Sequence, residues 1–227
     1  MIGIIGAMEQ ETARLKAMVK NKQIRRISGV EFVSGELFSH EVVVATCGVG
    51  KVFAAICAEA MILEYQPELV INTGVGGSLS ERLGIADVCV GDFVVQHDMD
   101  TTALGDPRGL LSGINLVRIP CDEKANQRLC ECLSELGIAH ITGTICSGDQ
   151  FVNTREEKLA LRDAFSAAVC EMEGASIGHV CYVNQTPFAV LRAVSDSFAD
   201  DSHLDYQKFV SIAAENAIRV LSLFLQK

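Results

Sequence analysis

The sequence predicts an α/β protein of three layers, a mixed, mostly parallel central sheet flanked by helices. Three observations predict it. Short Val- and Ile-rich runs, apolar on both faces, alternate with segments of helical period, the pattern of a sheet covered on both sides. At 227 residues, 49% of them hydrophobic and 21% charged, the chain can bury one continuous core and is far from a disordered composition. No internal repeat and no linker divides it, so residues 1–227 read as a single domain.

The elements follow in order. Residues 2–5 are a strand, and 9–19 a helix with Glu9 and Glu11 in its first turn, where the helix dipole favours carboxylates. Two alternating segments around 23–38 pair as a hairpin turning at Ser28-Gly29. A strand at 42–46 leads into an Ala-rich helix at 50–65. Strands at 69–73 and 93–96 follow. Residues 98–115 carry Gly, Pro, Asp and Thr without periodicity, a loop long enough to suggest function. Then come a helix at 124–136, an extended segment at 138–146 and a helix at 155–165. A short strand at 168–172 runs directly into a helix at 174–182. A strand at 188–195 and an amphipathic helix at 206–225 close the chain, with Asp200-Asp201-Ser202-His203 as its cap.

Charge narrows the function classes. The chain has 29 acidic and 19 basic residues, a net charge of −10, which argues against nucleic acid and anionic membranes as partners. A small-molecule ligand is favoured. No stretch reaches the roughly 18 apolar residues of a membrane helix, and the start lacks a basic leader region. Nine cysteines lie mostly in apolar runs with no C-x-x-C among them, as expected of free, packed thiols in a reducing cytosol. The expectation is a cytoplasmic protein. His97-Asp98-Met99-Asp100 has no second ligand cluster to support a metal and reads as a solvated loop.

In sheets of this kind ligands sit beyond the carboxyl ends of the strands. The glycine segments there miss the nucleotide fingerprints. Gly48-Val49-Gly50-Lys51 has Ala45 where a P-loop needs its first glycine and Val52 where it needs Ser or Thr. In Gly74-Val75-Gly76-Gly77-Ser78-Leu79 the last position of G-x-G-x-x-G is Leu79. Both read as tight turns between a strand and a helix. The acidic residues say more. Strand alternation puts Glu171 and Glu173 on one face, two carboxylates in apolar surroundings, which a ligand offering hydroxyls such as a sugar diol would satisfy. Asp196, beside Ser195 at the end of an apolar strand, is placed to keep a proton and act as a general acid.

Taken together, five segments carry a resemblance. They are Gly3-Ile4-Ile5-Gly6-Ala7-Met8-Glu9-Gln10-Glu11, Asn72-Thr73-Gly74-Val75-Gly76-Gly77, Ser147-Gly148-Asp149-Gln150-Phe151-Val152-Asn153, Glu171-Met172-Glu173-Gly174-Ala175 and Arg192-Ala193-Val194-Ser195-Asp196. In this order they resemble the 5′-methylthioadenosine/S-adenosylhomocysteine nucleosidases, of the purine nucleoside phosphorylase fold family. The resemblance implies a nucleoside phosphorylase-like fold and release of adenine by hydrolysis of the N-glycosidic bond. It implies that Glu11 activates water and that Asp196, helped by Ser195, protonates adenine N7. Met172 and Glu173 would hold the ribose, Phe151 would stack on the base and the Val152 backbone would read its edge. Arg192 would support the pocket, and Val75 and Gly76 of the glycine segment would contact the substrate. Met8, Val49 and Tyr206 would join Phe151 and Met172 around the 5′-thio substituent. No metal or organic cofactor is implied. A homodimer is, with residues 98–115, Leu104 and Leu111 among them, completing the neighbour's site. Val75 and Tyr206 depart from the Ser and Phe common in that family, and the 99–111 loop lacks its usual aromatic residue.

Rival readings are a phosphorylase, a hydrolase of a modified nucleoside such as aminofutalosine, and a non-catalytic storage relative. Leu69 to Leu79 contains no Lys or Arg for phosphate, and a storage protein has no chemical need for Glu11, Glu173 and Asp196 together. Hydrolysis is therefore favoured.

Overall fold

The computed structural model describes residues 1–198 and 202–227. Its strands are β1 (Ile2–Gly6), β2 (Lys20–Ile27), β3 (Val30–Leu37), β4 (His40–Thr46), β5 (Leu69–Ser78), β6 (Val88–Gln96), β7 (Ile119–Pro120), β8 (His140–Ser147), β9 (Ala167–Glu171) and β10 (Phe188–Asp196). The helices are α1 (Glu9–Met18), α2 (Lys51–Tyr65), α3 (Glu123–Glu135), α4 (Arg155–Phe165), α5 (Gly174–Val183) and α6 (Ser202–Phe224). The expected order of elements holds. The side chains expected to cap the last helix at 200–203 lie outside what the structure describes.

All these strands belong to one sheet. Its middle is parallel: β1 pairs with β4 and β5, β5 with β10, and β8 with β6 and β9. Antiparallel pairing is confined to the β2–β3–β4 meander, to β6 with β7 and β10, and to a two-residue contact of β9 with β5. That last contact adds something periodicity does not show. Because β5 pairs with both β9 and β10, the strands β5, β10, β6, β8 and β9 close into a ring.

Burial explains the layers. β5 and β10 are buried along their whole length, which is why they lack an apolar–polar alternation. One face of the sheet packs on apolar residues of α1, α3 and α6, such as Leu15, Leu129 and Leu221. The other packs on α2 and α5 through Ala54, Met61, Ile177 and Cys181. Leu161 and Phe165 of α4 pack with Leu79 and Val95 against the ring. The hairpin turns at Ser28-Gly29 as expected, both residues having positive φ.

Two expectations shift. The segment 74–77 is not a turn into a helix: β5 runs through it to Ser78. His97 is not solvated but buried, with no hydrogen-bond partner at Nε2 among the described residues, and Asp98 pairs with Lys51.

The approach of α5 to β10 depends on Gly178. A Cβ there would lie 2.7 Å from the Phe188 ring and 2.8 Å from Val94. Gly178→Ala is expected to destabilise the fold by about 1–3 kcal/mol through overpacking, read as a lowered denaturation midpoint at unchanged m-value.

Candidate active site

The site lies where β1, β5, β9 and β10 end, and each end is shaped by its neighbours. α1 begins directly after β1, so Glu11, in its first turn, is carried back toward the sheet. Its Oε2 accepts N–H bonds from Ala7 (2.7 Å) and Met8 (2.9 Å), and Oε1 accepts one from Val75 of β5 (3.1 Å). Burial nevertheless pushes the Glu11 carboxyl above its usual range, against the pull of Arg192 and of those N–H groups. A carboxylate of raised proton affinity is a stronger base.

Asp196 ends β10 opposite Gly77 of β5. Its Oδ1 accepts the Ser195 hydroxyl proton at 3.0 Å, and its Oδ2 lies 3.2 Å from the Lys158 ammonium, both partners being buried. The surroundings are thus not simply apolar, as the strand end suggested. Lys158 was not foreseen. Its spacing from Arg155 and Arg162 along one helix face is visible in the sequence, but three cations on one face usually mean a solvated surface.

The glycines of β5 admit both carboxylates. A Cβ on Gly74 would lie 2.7 Å from Glu11 Oε1, and one on Gly77 would lie 2.7 Å from Asp196 Oδ2. These positions serve the protein's own acids rather than a phosphate.

Glu171 and Glu173 do not act as a matched pair on one strand face. β9 stops at Glu171, and Glu173, two residues on, is the N-cap of α5. Glu171 is held by Arg192, by the Ser147 hydroxyl and by the backbone N–H groups of Glu173 and Gly174. Its charge is met inside the protein. Glu173 keeps one such bond, from the Gly50 N–H at 2.8 Å. Burial first, then the Glu171 charge, raises the Glu173 carboxyl above its usual range.

Glu11, Glu173 and Asp196 line a single cavity of about 210 Å³. Met8, Val75, Gly76 and Met172 line it as well, together with Val49, Phe151, Val152, Ser195 and Tyr206. Phe151 and Tyr206 meet edge to face, ring centroids 5.7 Å apart, and the Tyr206 hydroxyl lies 3.2 Å from Met8 Sδ. Phe151 is 47% exposed at the mouth, so an aromatic face is open to a planar ligand. Arg192 is the exception among the expected contacts. It does not line the cavity; its guanidinium lies behind Glu171, bonded also to Asn72. Leu104 and Leu111 lie away from this cavity too, Leu104 being 82% exposed. Ala7, Gly77, Gln150 and Cys170 are lining residues that sequence reasoning did not single out. Burial pushes the Cys170 thiol up to about 12, so it lines the wall as an inert apolar group.

Residues 1–226 match the sequence profile described as the phosphorylase superfamily. The chain belongs to that superfamily. Solved relatives narrow the comparison. A 5′-methylthioadenosine/S-adenosylhomocysteine nucleosidase of Neisseria meningitidis, in complex with methylthio-immucillin-A, is 32% identical with TM-score 0.95, over 99% of this chain and 98% of its own. The S-adenosylhomocysteine nucleosidase of Streptococcus pyogenes is 32% identical with TM-score 0.94, over 99% and 95%. A futalosine hydrolase of Helicobacter pylori is 33% identical with TM-score 0.93, over 98% and 96%. The resemblance carried by the five segments holds in this superfamily fold.

The raised Glu173 carboxyl has a consequence for stability. A group that binds its proton more tightly in the folded state contributes fully below the ordinary carboxylate range and loses that contribution as pH rises through the raised value. Glu173→Gln removes the charge and keeps an acceptor for the Gly50 N–H. Its melting temperature is expected to exceed that of the parent at pH 8 by about 2–4 °C, the equivalent of about 1 kcal/mol, and to match it at pH 4. Paired thermal melts at the two pH values check this.

Proposed function

We propose that the protein is an N-ribosyl hydrolase that releases adenine from 5′-methylthioadenosine and S-adenosylhomocysteine. One observation carries the reading: the buried carboxyls of Glu11 and Asp196 line a single cavity with those of Glu171 and Glu173, beside the exposed ring of Phe151. The purine lies against Phe151, with its N7 toward Asp196. Glu173 and the Met172 segment take the ribose hydroxyls, which are the donors a buried carboxylate of raised proton affinity needs. Asp196 gains a proton as the nucleoside closes the site and passes it to N7, so the base departs neutral. The ribosyl centre gains positive charge as the bond to nitrogen lengthens. Glu11, across the sugar, takes a proton from the attacking water. Met8, Val49 and Tyr206 offer an apolar lodging for the 5′-thio group.

Water rather than phosphate is the favoured nucleophile. Among the described residues lining the cavity there is no Lys or Arg. The nearby Lys51 ammonium is bonded to Asp98 at 2.6 Å, and Arg192 is closed off by Glu171. The similarity to the futalosine hydrolase supports a second substrate reading, aminofutalosine, by the same acid and base.

The reading extends to a homodimer. Val52 (69% exposed), Phe53 (57%) and Leu63 (65%) leave an apolar face on α2, near the mouth residue Val49. A second copy covering it would bring residues 98–115, with the exposed Leu104, toward the neighbour's cavity. The protein is read as cytoplasmic; among the described residues no helix is long and apolar enough to cross a membrane.

Adenine release in phosphate-free buffer is the deciding assay, run with 5′-methylthioadenosine, S-adenosylhomocysteine and aminofutalosine. Adenine release that depends on added phosphate would sink the hydrolase reading. Asp196→Asn and Glu11→Gln are each expected to lower kcat by about 10²–10⁴-fold, the range of general acid–base catalysis, with nucleoside binding retained. Gly74→Ala and Gly77→Ala are expected to fold normally and lose about 10²-fold in kcat, because each displaces a carboxylate. Light scattering should give twice the mass of one chain, and Leu104→Asp should raise KM for the 5′-thio substrates while leaving that mass unchanged.

A further inference from the structure

The hydrolytic reading leaves one buried charge without a task. Lys158 is fully buried, and a buried ammonium is expensive unless it is paired. Among its partners are Asp196 Oδ2 at 3.2 Å and the carbonyl oxygen of Ser197. Arg155 and Arg162 flank it on the same face of α4 at i−3 and i+4, and their guanidinium groups lie 5.3 and 5.2 Å from the Phe198 ring. One helix face therefore grips residues 196–198. The start of that helix also fixes the base-facing loop. Glu157 accepts from the backbone N–H groups of Asn153 and Thr154 and from Gln150 Nε2 at 3.1 Å. Acid and base-stacking loop are thus anchored to one helix.

We infer that Lys158 is a positioning residue for Asp196, holding its carboxyl in place and supplying the counter-charge for the carboxylate that forms as the purine takes its proton. The inference rests on the hydrolytic reading above. In the step, the proton moves from Asp196 to N7 and the glycosidic electron pair goes to the purine. Water bonds to the ribosyl carbon and gives its proton to Glu11. Lys158 takes no part in the transfer. The negative charge that appears on Asp196 appears in a buried place, where a fixed ammonium stabilises it more than it stabilises the neutral acid. Such an interaction strengthens toward the transition state, so its loss lowers kcat more than it changes KM. Cys170 and Tyr206 also face Asp196, but neither supplies positive charge.

The test is a double-mutant cycle with two leaving groups. Wild type, Lys158→Met, Asp196→Asn and the double variant are assayed with 5′-methylthioadenosine and with the matching p-nitrophenyl riboside, whose leaving group departs as a stable anion without a proton. Lys158→Met is expected to lower kcat for the purine substrate by about 10–100-fold with KM nearly unchanged. It is expected to leave the p-nitrophenyl rate unchanged and to add no further loss in the Asp196→Asn background. Equal losses with both leaving groups, additive losses in the cycle, or no loss at all would each overturn the assignment. Circular dichroism checks folding. Should Lys158→Met not fold, Lys158→Gln, which keeps an N–H toward Asp196 without the charge, carries the same comparisons. A wild type that releases no adenine from any nucleoside marks failure of the hydrolytic reading instead.

Discussion

The site depends on how closely two carboxylates can approach one strand. β5 runs along the cavity with glycine at 74 and 77, and at each the missing Cβ is what lets a carboxylate oxygen of Glu11 or Asp196 come within 2.7 Å of where that carbon would stand. One strand therefore sets the spacing of two of the carboxylates that line the cavity. The rest follows from placing the partners of that strand. β1 delivers α1 and its Glu11 on one side, and β10 delivers Asp196 on the other, both in parallel register with β5. The pairing of β9 with the end of β5 brings the Glu171–Glu173 turn between them.

Electrostatics inside this frame is deliberately short of positive charge. The Arg192 guanidinium lies among Glu11, Glu171 and Glu173; of these three it bonds directly to Glu171, and it also donates to Asn72. The other two carboxylates feel its field but have no ion pair among the described residues, and burial raises the proton affinity of both. Stability is sacrificed for groups that readily take up protons or hydroxyl donors, a frequent compromise at functional sites. Asp196 differs from them in having a cation within hydrogen-bonding distance. Two buried acids in two environments is the arrangement that lets one protein supply an acid and a base at one pH.

Much of this was legible in the sequence, and the exceptions have physical reasons. The order of strands and helices follows from apolar periodicity because β1, β5, β9 and β10 are buried along their whole length. The acids stand out because a lone Glu or Asp in an apolar run needs explaining. Strand alternation misplaced Glu173, because the chain leaves β9 one residue earlier and enters a helix turn. The glycines at 74–77 look like a tight turn because sequence shows only that Cβ atoms are absent, not which atoms use the space. Arg192 is expected to support the pocket, but sequence does not show how: its charge is turned to Glu171, a partner 21 residues away along the chain. Lys158 was invisible for a similar reason: its partner is 38 residues away, and nothing local distinguishes a buried lysine from an exposed one. Closure of the ring rests on the two-residue contact of β9 with β5, too short to leave a periodicity.

The same electrostatics bears on the choice of nucleophile. A phosphate dianion entering beside the ribose would meet Glu11 and Glu173 with no free cation among the described lining residues, and like-charge contacts in a buried site are costly. Water carries no such penalty. It needs only a base, and Glu11 is held by three backbone N–H bonds in an orientation that the sugar does not have to induce. The fold of a phosphorylase superfamily is thus compatible with hydrolysis when the strand that could have carried a phosphate-binding arginine instead carries glycines that make room for acids.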